Sequence, residues 1–333
     1  MNTMKSMRQY IILVKGFIYS ILLLAALNIL SCGKTVQPPA AEDKPVVIDE
    51  PQQGFKRVTY DTGFVEYRSG NFPLIISIPH GGSVVTDNLP VRTKDNCPDP
   101  AFTTVYDTYT PELGDLVDSI VFARTGKYAH VIYCKLKRTY VDMNRQPEYA
   151  IPQGSSATKV VYDKYHDFII EAKTSVTKSF GKGLILDFHS HGHAKQEVEI
   201  GYQLSSSTLN LSDSDLNKES IAASSGIYNL YKSVSSKTTF SQLIRGENSF
   251  GTLFYNNQVA SIPSKQSPSP GDTPYFSGGY ITKFHGSGTS GTVDAIQLEF
   301  HSECRREPSV RKKTAEQLVK TVDEYFKAHY EFK

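Results

Sequence analysis

The hydrophobic pattern of this chain alternates between short, continuous apolar runs and longer stretches in which apolar residues recur with helical spacing. Leu184, Ile185 and Leu186 form one such run, which is typical of a strand buried on both faces of a sheet. The run over 72–78 repeats this pattern. Similar runs predict further strands over 57–67, 129–136, 198–204 and 293–300.

The longer stretches predict amphipathic helices over 110–125, 160–180 and 308–330. Gly126 and Gly181 end the first two of these helices. Thr110 is placed to cap the first helix, and Pro111 suits its first turn. By composition we also expect a helical region over 212–236 and loops over 205–214 and 265–273.

Strands that alternate with helices predict an α/β fold with a mainly parallel or mixed central sheet and helices on both faces. Residues 54–333 are long enough to form one large domain with a substantial buried core. The formal net charge of the chain is +2. This balance gives no strong positive field, so we expect no nucleic-acid partner.

The amino terminus differs from the rest of the chain. Lys5, Arg8 and Lys15 precede an apolar run over 16–30, and Ser31-Cys32 follows it. A basic region followed by a short apolar segment predicts a secretory signal peptide over 1–32. The Ser31-Cys32 junction resembles the bacterial lipobox, which implies acylation of Cys32 and an exported lipoprotein held on a membrane of the cell envelope. An uncleaved signal anchor and an ordinary signal peptide are the alternatives.

The segment over 33–53 contains four prolines and little that could form a core, which predicts a flexible tether. The domain after it holds three further cysteines, Cys97, Cys134 and Cys304. No pair of them has zinc-finger spacing, and an exported location permits at most one internal disulfide. We assign none of the three to the chemistry.

Ionisable residues stand at the ends of two predicted strands. Asp187 and His189 are two positions apart in an extended segment, so their side chains share one face. His80 follows the run over 72–78 in the same way. Since α/β folds place their sites at the carboxyl ends of strands, these residues are expected to line one crevice, where histidine is a preferred zinc ligand. A polar histidine in a tight turn and a strand-end cap by Asp187 are the alternatives.

Two isolated carboxylates are further candidates. Asp107 lies just before the helix over 110–125, where it either caps the helix electrostatically or binds a metal from the loop. Glu299 interrupts the apolar run over 293–300. Burying a carboxylate in a core strand is costly unless it has a partner or a function, so Glu299 is a candidate general base with a perturbed pKa.

An arginine with a neighbouring amide follows the predicted strand over 129–136. Arg145, beside Asn144, suits recognition of a substrate carboxylate or stabilisation of an oxyanion. The alternative for Arg145 is a surface salt bridge to Asp142 or Glu148.

Together these motifs resemble the N-formylglutamate amidohydrolase family, relatives of the zinc carboxypeptidases and aspartoacylases. Six short motifs occur in family order: 79–82 (PHGG), Asp107 ahead of Leu113, 141–145 (VDMNR), 186–190 (LDFHS), 278–282 (GGYIT) and 297–299 (QLE). The resemblance implies a fold like that of the zinc-dependent exopeptidases. By residue, it implies zinc on His80, Asp107 and His189, a catalytic base at Glu299, and substrate contacts from Asn144, Arg145 and Gly279.

The chemistry implied is that of a metal-dependent amidohydrolase, a carboxypeptidase-like hydrolase of C–N bonds. A zinc ion held there would polarise the scissile carbonyl and acidify a water, whose proton Glu299 would pass to the leaving amine. Arg145 would act as a catalytic residue by holding a substrate carboxylate or the developing oxyanion. Asp187 would accept a hydrogen bond from an imidazole and fix its tautomer. Because the domain faces outward, we expect an N-acyl amino acid or a short acidic, glutamyl-type peptide as substrate.

The chain departs from the family pattern at two places. Gly81-Gly82 stands where the family has serine then glycine, and His191 follows Ser190 where the family has methionine. His191 and His193 are expected to be exposed, and binding of substrate or of a second metal is the alternative. A catalytically inactive surface lipoprotein that binds peptide or glycan is the alternative function. A phosphate-ester or nuclease-type enzyme would need more carboxylates around two metals than the sequence clearly supplies.

Overall fold

The continuous apolar runs form the centre of a nine-stranded mixed sheet in a computed structural model, which describes residues 46–48 and 55–332. The predicted signal peptide, Cys32 and most of the predicted tether lie outside the described residues. The strands are β1 Val46–Ile48, β2 Arg57–Asp61, β3 Val65–Arg68, β4 Leu74–Ile78, β5 His130–Cys134, β6 Gly183–His191, β7 Val198–Gly201, β8 Ser261–Ile262 and β9 Val293–His301.

The strand order is β1-β2-β3-β5-β4-β6-β9-β7-β8. The central strands β5, β4, β6 and β9 run parallel to one another. Antiparallel pairs flank them, with β1, β2 and β3 on one side and β7 against β9 on the other. Because β4, β6 and β9 run in the same direction, the residues at their carboxyl ends meet at one edge of the sheet.

The helices are α1 Thr110–Thr125, α2 Pro147–Ala150, α3 Ser156–Phe180, α4 Ser206–Leu209, α5 Asp213–Leu216, α6 Glu219–Ser224, α7 Tyr228–Val234, α8 Phe240–Arg245, α9 Phe250–Asn256, α10 Tyr280–His285 and α11 Pro308–His329. A short 3₁₀ turn, Ser302–Cys304, follows β9. Within the described part of the chain, no helix combines the length and apolar character that crossing a membrane requires.

Helices cover both faces of the sheet, as the sequence predicts. Successive residues of a strand point to opposite faces. In β4, Ile76 therefore joins the core layer that contains Val117 of α1 and Leu318 of α11. Its neighbour Ile75 joins the opposite layer, with Ile169 of α3. The α/β class with a mixed sheet is confirmed.

The long helices begin and end close to their predicted positions. Gly126 ends α1 in the left-handed conformation, with φ 68°. The N-cap of α1 is Tyr109, so the predicted cap by Thr110 is wrong: the Thr110 hydroxyl donates to the Asp107 carbonyl oxygen instead. Helix α3 starts four residues before its predicted start, because the Ser155 side chain accepts a hydrogen bond from the Thr158 backbone N–H.

Several short elements differ from the sequence prediction. Val46–Ile48, within the predicted tether, forms β1 and pairs with β2, as three β-branched residues favour. The single strand predicted over 57–67 is two strands joined through Gly63, whose φ of 83° suits a turn. The serine-rich segments contain extra short helices, because serines and threonines cap them: Ser205, Ser212, Thr239 and Ser249.

The three cysteines of the domain are free thiols. Cys97 and Cys134 are buried, and Cys304 is half-buried. Burial raises the pKa of the Cys134 thiol to about 12, which makes it unreactive.

Candidate metal centre

His80, Asp107 and His189 meet at the carboxyl edge of the central strands, and we call them the inner cluster. The Nδ1 atoms of His80 and His189 lie 3.2 Å apart. The Oδ2 atom of Asp107 lies 3.5 Å from the first of these nitrogens and 3.1 Å from the second. All three side chains are buried. The three residues that the sequence suggested as metal ligands are therefore brought together.

The turn after β4 places two members of the inner cluster. A Cβ on Gly81 would crowd the first turn of α1, and one on Gly82 would overlap the Leu136 carbonyl. Two glycines therefore let the backbone after His80 pass between these elements. The Asp107 backbone N–H donates to the His80 carbonyl oxygen over 2.9 Å. The loop before α1 is thus fastened to the end of β4, and the capping role considered for Asp107 is not what its carboxylate does.

A carboxylate holds the second nitrogen of each imidazole. His80 Nε2 lies 2.7 Å from Asp142 Oδ1, and His189 Nε2 lies 2.9 Å from Asp187 Oδ2. A carboxylate can only accept, so these contacts assign the protons to the Nε2 atoms. The two Nδ1 lone pairs then face each other and the Asp107 oxygen. Three electron-rich atoms at such distances require a positive charge between them.

A zinc ion fits this arrangement. Tetrahedral zinc with ligands at about 2.0–2.1 Å places any two ligand atoms about 3.3 Å apart. The three separations in the inner cluster are 3.2, 3.5 and 3.1 Å. Two imidazoles and one carboxylate also leave a fourth position for water or substrate, which is typical of catalytic zinc.

The charges around the inner cluster keep its carboxylate ionised. Burial raises the pKa of Asp107, but hydrogen bonds with His189 and His80 outweigh burial and hold that pKa below its usual value. Burial lowers the pKa of His189, yet the charge of Asp187 and hydrogen bonds to Asp107 and Asp187 raise it well above its usual value. The cluster thus favours a cation, whether a proton on His189 or a metal ion.

Asp142 is an outer partner of the inner cluster, meaning that it contacts the ligand His80 without being a ligand itself. From the sequence it was suggested only as a salt-bridge partner of Arg145. Its Oδ2 accepts from Arg138 Nε over 2.8 Å, and its Oδ1 accepts from the Asn144 backbone N–H over 3.0 Å. Burial raises the pKa of Asp142, but the charges of Arg138 and His80 hold it well below its usual value. The carboxylate therefore stays ionised and orients His80. A cue was available in the sequence, because Asp142 follows the apolar run over 129–136 as Asp187 follows the run over 184–186.

Glu299 stands beside the inner cluster on the neighbouring strand. In the parallel pairing of β6 and β9 its Cα lies opposite that of His189. Its side chain is 5% exposed and accepts from Gln297 Nε2 over 2.8 Å. Burial raises the pKa of Glu299 to about 8; the charge of Asp107 adds to the rise, while His189 opposes it. A buried carboxylate with a raised pKa next to a metal-ligand cluster suits a general base.

The amide of Asn144 is fully engaged inside the protein. Its Nδ2 donates to Gln297 Oε1 over 3.2 Å and lies 3.1 Å from His189 Nε2, while its Oδ1 accepts from the Ile281 backbone N–H over 2.8 Å. A Cβ at Gly279 would overlap this amide. Asn144 therefore links the inner cluster to α10, and Gly279 leaves room for it. Substrate contacts from these two residues stay a prediction.

The two arginines near the site differ from expectation. Arg145 Nε donates to Asp99 Oδ2 over 2.8 Å, so its ion pair is with neither Asp142 nor Glu148. The buried Arg305, which was not a candidate from the sequence, follows β9. Its positive charge interacts with the carboxylates of Asp107 and Glu299. The Arg305 guanidinium donates to the Thr108 carbonyl oxygen over 2.8 Å, so its positive charge lies beside the loop that carries Asp107.

A second group, His191, His193 and Glu199, lies at the end of β6 and the start of β7, and we call it the outer cluster. Glu199 Oε1 lies 2.6 Å from His193 Nδ1 and 3.6 Å from His191 Nδ1. His193 is half-buried, but His191 is only 4% exposed. The expectation that both histidines are exposed is wrong, because β7 and the loop that contains Phe276 cover them. The Phe276 ring stacks on His193.

Comparison with known sequences gives no match to a family model and none to a curated protein. Among solved structures, N-formylglutamate amidohydrolase from Ralstonia eutropha JMP134 is 12% identical, with a TM-score of 0.43, over 77% of this chain and 95% of that one. A gene product of Agrobacterium tumefaciens is 13% identical, with a TM-score of 0.44, over 80% and 95%.

A third similar structure is the N-acetylmuramyl-L-alanine amidase Ami1 from Mycobacterium smegmatis. It is 9% identical, with a TM-score of 0.34, over 77% of this chain and 97% of that one. All three TM-scores lie below 0.5. The function proposed below therefore rests on the residues of the site.

Proposed function

We propose that this protein is a metal-dependent amidohydrolase that cleaves the amide bond of an N-acyl amino acid or a short acidic, glutamyl-type peptide. One observation carries the proposal: two imidazole Nδ1 atoms and a carboxylate oxygen converge within 3.1–3.5 Å, beside a buried glutamate. Two histidines and a carboxylate with an open fourth position, next to a base, form the set that hydrolytic zinc sites use.

His80, Asp107 and His189 would hold the zinc ion. When bound, zinc supplies a Lewis acid for the scissile carbonyl and acidifies water. Glu299 takes a proton from the attacking water and delivers it to the leaving amide nitrogen. Glu299 would more often be ionised, and so able to accept a proton, with a divalent cation held at the inner cluster, because a nearby positive charge favours the ionised form of a carboxyl group.

The protein supplies the orientation of these groups. Asp142 and Asp187 hold the imidazoles in the tautomer that turns both Nδ1 atoms inward, and Ser77 in turn donates to Asp187 Oδ1 over 2.8 Å. Arg305 adds a positive charge near Asp107 and Glu299, which favours an oxyanion or a substrate carboxylate there. A substrate carboxylate bound by Arg145 would have to exchange with Asp99.

Export on a lipid anchor at Cys32 is part of the proposal, and it bears on the substrate. The basic, apolar and small-residue pattern over 1–32 supports it. A domain tethered to the outer face of a membrane meets amides outside the cytoplasm. We therefore place short acidic peptides and other N-acyl amino acids ahead of formylglutamate.

The proposal is tested by removing the metal, restoring it, and assaying hydrolysis of a panel of substrates. The full-length chain, treated with a chelator and then with zinc, is assayed on N-formylglutamate, other N-acyl amino acids and γ-glutamyl peptides. We expect hydrolysis of at least one of these, its loss on chelation and its return with zinc. A protein that stays folded and binds these compounds without cleaving any of them would instead be the peptide-binding lipoprotein.

A further inference from the structure

The outer cluster brings together a second set of zinc-type ligands, at residues that the proposed hydrolysis does not use. One carboxylate oxygen, Glu199 Oε1, lies near both His191 Nδ1 and His193 Nδ1. One glycine separates the two histidines, whose ring centroids lie 5.1 Å apart, and the rings contact Glu197 and Glu199. Two imidazoles and a carboxylate are again the donor set of a three-ligand zinc site.

Outer partners orient two of the three ligands. His191 Nε2 lies 2.8 Å from the Glu197 carbonyl oxygen, which can only accept, so this contact assigns the proton to Nε2 and leaves a lone pair on Nδ1. The other oxygen of Glu199, Oε2, accepts from the Phe276 backbone N–H over 2.7 Å. Oriented ligands of this kind are a common property of protein metal sites.

The charge of Glu199 also calls for a cation. The side chain is buried, and its ion pairs go to His191 and His193, neither of which carries a fixed charge as lysine and arginine do. In the antiparallel pairing of β7 and β9 its Cα lies opposite that of Glu299, so a second buried carboxylate is close by. A buried carboxylate without a permanent positive partner is costly, and a bound metal ion removes that cost.

We propose that His191, His193 and Glu199 form a second binding site for a divalent transition-metal ion such as zinc, weaker than the inner cluster. The site is weaker because its donors are already engaged. The His193 backbone N–H donates to His191 Nδ1 over 3.1 Å, and His193 Nδ1 is hydrogen-bonded to Glu199. Both contacts must open for the ion to enter, whereas the lone pairs of the inner cluster already face one another.

Equilibrium dialysis against zinc, followed by elemental analysis, tests this site on the full-length chain. After removal of metal with a chelator, we expect about two zinc ions per chain at high free zinc, and about one at low free zinc. His193→Ala and Glu199→Gln should each remove the weaker ion and keep the tighter one. His329→Ala replaces a half-buried histidine outside both clusters, and this control should keep both ions.

The variants separate this proposal from the proposed function. His80→Ala removes a ligand of the inner cluster only, so it should lose the tighter ion and keep the weaker one. A wild-type chain that binds only one ion, lost in His80→Ala and kept in His193→Ala, would overturn the second site and leave the hydrolase intact. A single ion lost in His193→Ala alone would support the outer site and contradict the inner one.

Folding of each variant is checked by circular dichroism. Glu199→Gln keeps the size of the side chain and its acceptor for the Phe276 N–H, so it serves if His193→Ala does not fold. If both folded variants still bind two zinc ions, the outer cluster is a hydrogen-bonded histidine–glutamate pair and not a metal site.

Discussion

The inner and outer clusters contain the same residue types, two histidines and one carboxylate, but they differ in what holds the outward-facing nitrogens. In the inner cluster, Asp142 and Asp187 accept from the Nε2 atoms of the two histidines, and both Nδ1 lone pairs point inward. In the outer cluster, a backbone carbonyl orients His191, and His193 is hydrogen-bonded to the Glu199 carboxylate.

This difference teaches that residue composition alone does not distinguish a strong metal site from a weak one. The buried carboxylates behind the inner cluster add negative charge and basicity, which strengthens the binding of a cation. In the outer cluster, the backbone carbonyl that orients His191 carries much less negative charge than a carboxylate does. We therefore expect every perturbation of the inner cluster to have the larger effect.

Replacement of a metal ligand should have the largest effect. His189→Ala removes one of three ligands, so the affinity of the inner cluster for zinc should fall by more than about 100-fold, beyond the loss expected for an outer partner. Hydrolysis should fall below detection. Activity assays and zinc competition titrations measure both effects, and His329→Ala is the control. Full zinc affinity at the inner cluster in the folded His189→Ala protein would contradict the ligand set.

Replacement of the candidate base should separate metal binding from turnover. Glu299→Gln keeps the acceptor for Gln297 Nε2 but cannot take a proton, so kcat should fall by roughly 10²- to 10⁴-fold while zinc stays bound. The matched change in the outer cluster, Glu199→Gln, should cost less activity. Wild-type turnover by Glu299→Gln would show that another group is the base.

Replacement of an outer partner should give an intermediate effect. Asp142→Asn removes the charge behind His80, and the affinity of the inner cluster for zinc should fall about 10- to 100-fold. The matched control is Glu197→Gln, because Glu197 contacts His191 through its backbone carbonyl, which this substitution does not change. Competition with a chromophoric chelator measures both. Equal affinities for Asp142→Asn and the wild type would remove the asymmetry between the clusters.

Alanine substitutions at two glycines should have the smallest effect, and that effect is on stability. Gly279→Ala places a Cβ against the Asn144 amide and should cost about 1–3 kcal/mol of stability, as overpacking usually does. Gly192, between the outer histidines, has no atom within 4 Å of an added Cβ, so Gly192→Ala should stay within about 0.5 kcal/mol of the wild type. Chemical denaturation measures both, and equal stabilities would mean that the Asn144 network is not tightly packed.

The larger elements could be predicted from the sequence because their hydrophobic pattern is long and periodic. α1, α3 and α11 extend over many turns, and β4 and β6 each contain a short apolar run. Helices α8 and α9 have six and seven residues, too few for periodicity to identify them. A serine or threonine cap starts each of them, and in sequence such a cap resembles a loop.

The meeting of His80 and His189 could also be predicted, because parallel strands bring their carboxyl ends to one edge, whereas Asp107 was placed with them only by the resemblance. The partners of individual side chains could not. Asp142 pairs with His80 across 62 positions, and Arg145 pairs with Asp99 in a loop without periodic pattern. Which of two neighbouring arginines reaches Asp142 depends on loop conformation, which hydrophobic spacing does not encode.

Anomalous diffraction at the zinc edge, from crystals grown with one equivalent of zinc, tests the central claim most directly. We predict one strong peak at about 2.0–2.2 Å from His80 Nδ1, His189 Nδ1 and Asp107 Oδ2, with further zinc adding a weaker peak at the outer cluster. A first peak at any other place, with none among these three atoms, would contradict the account.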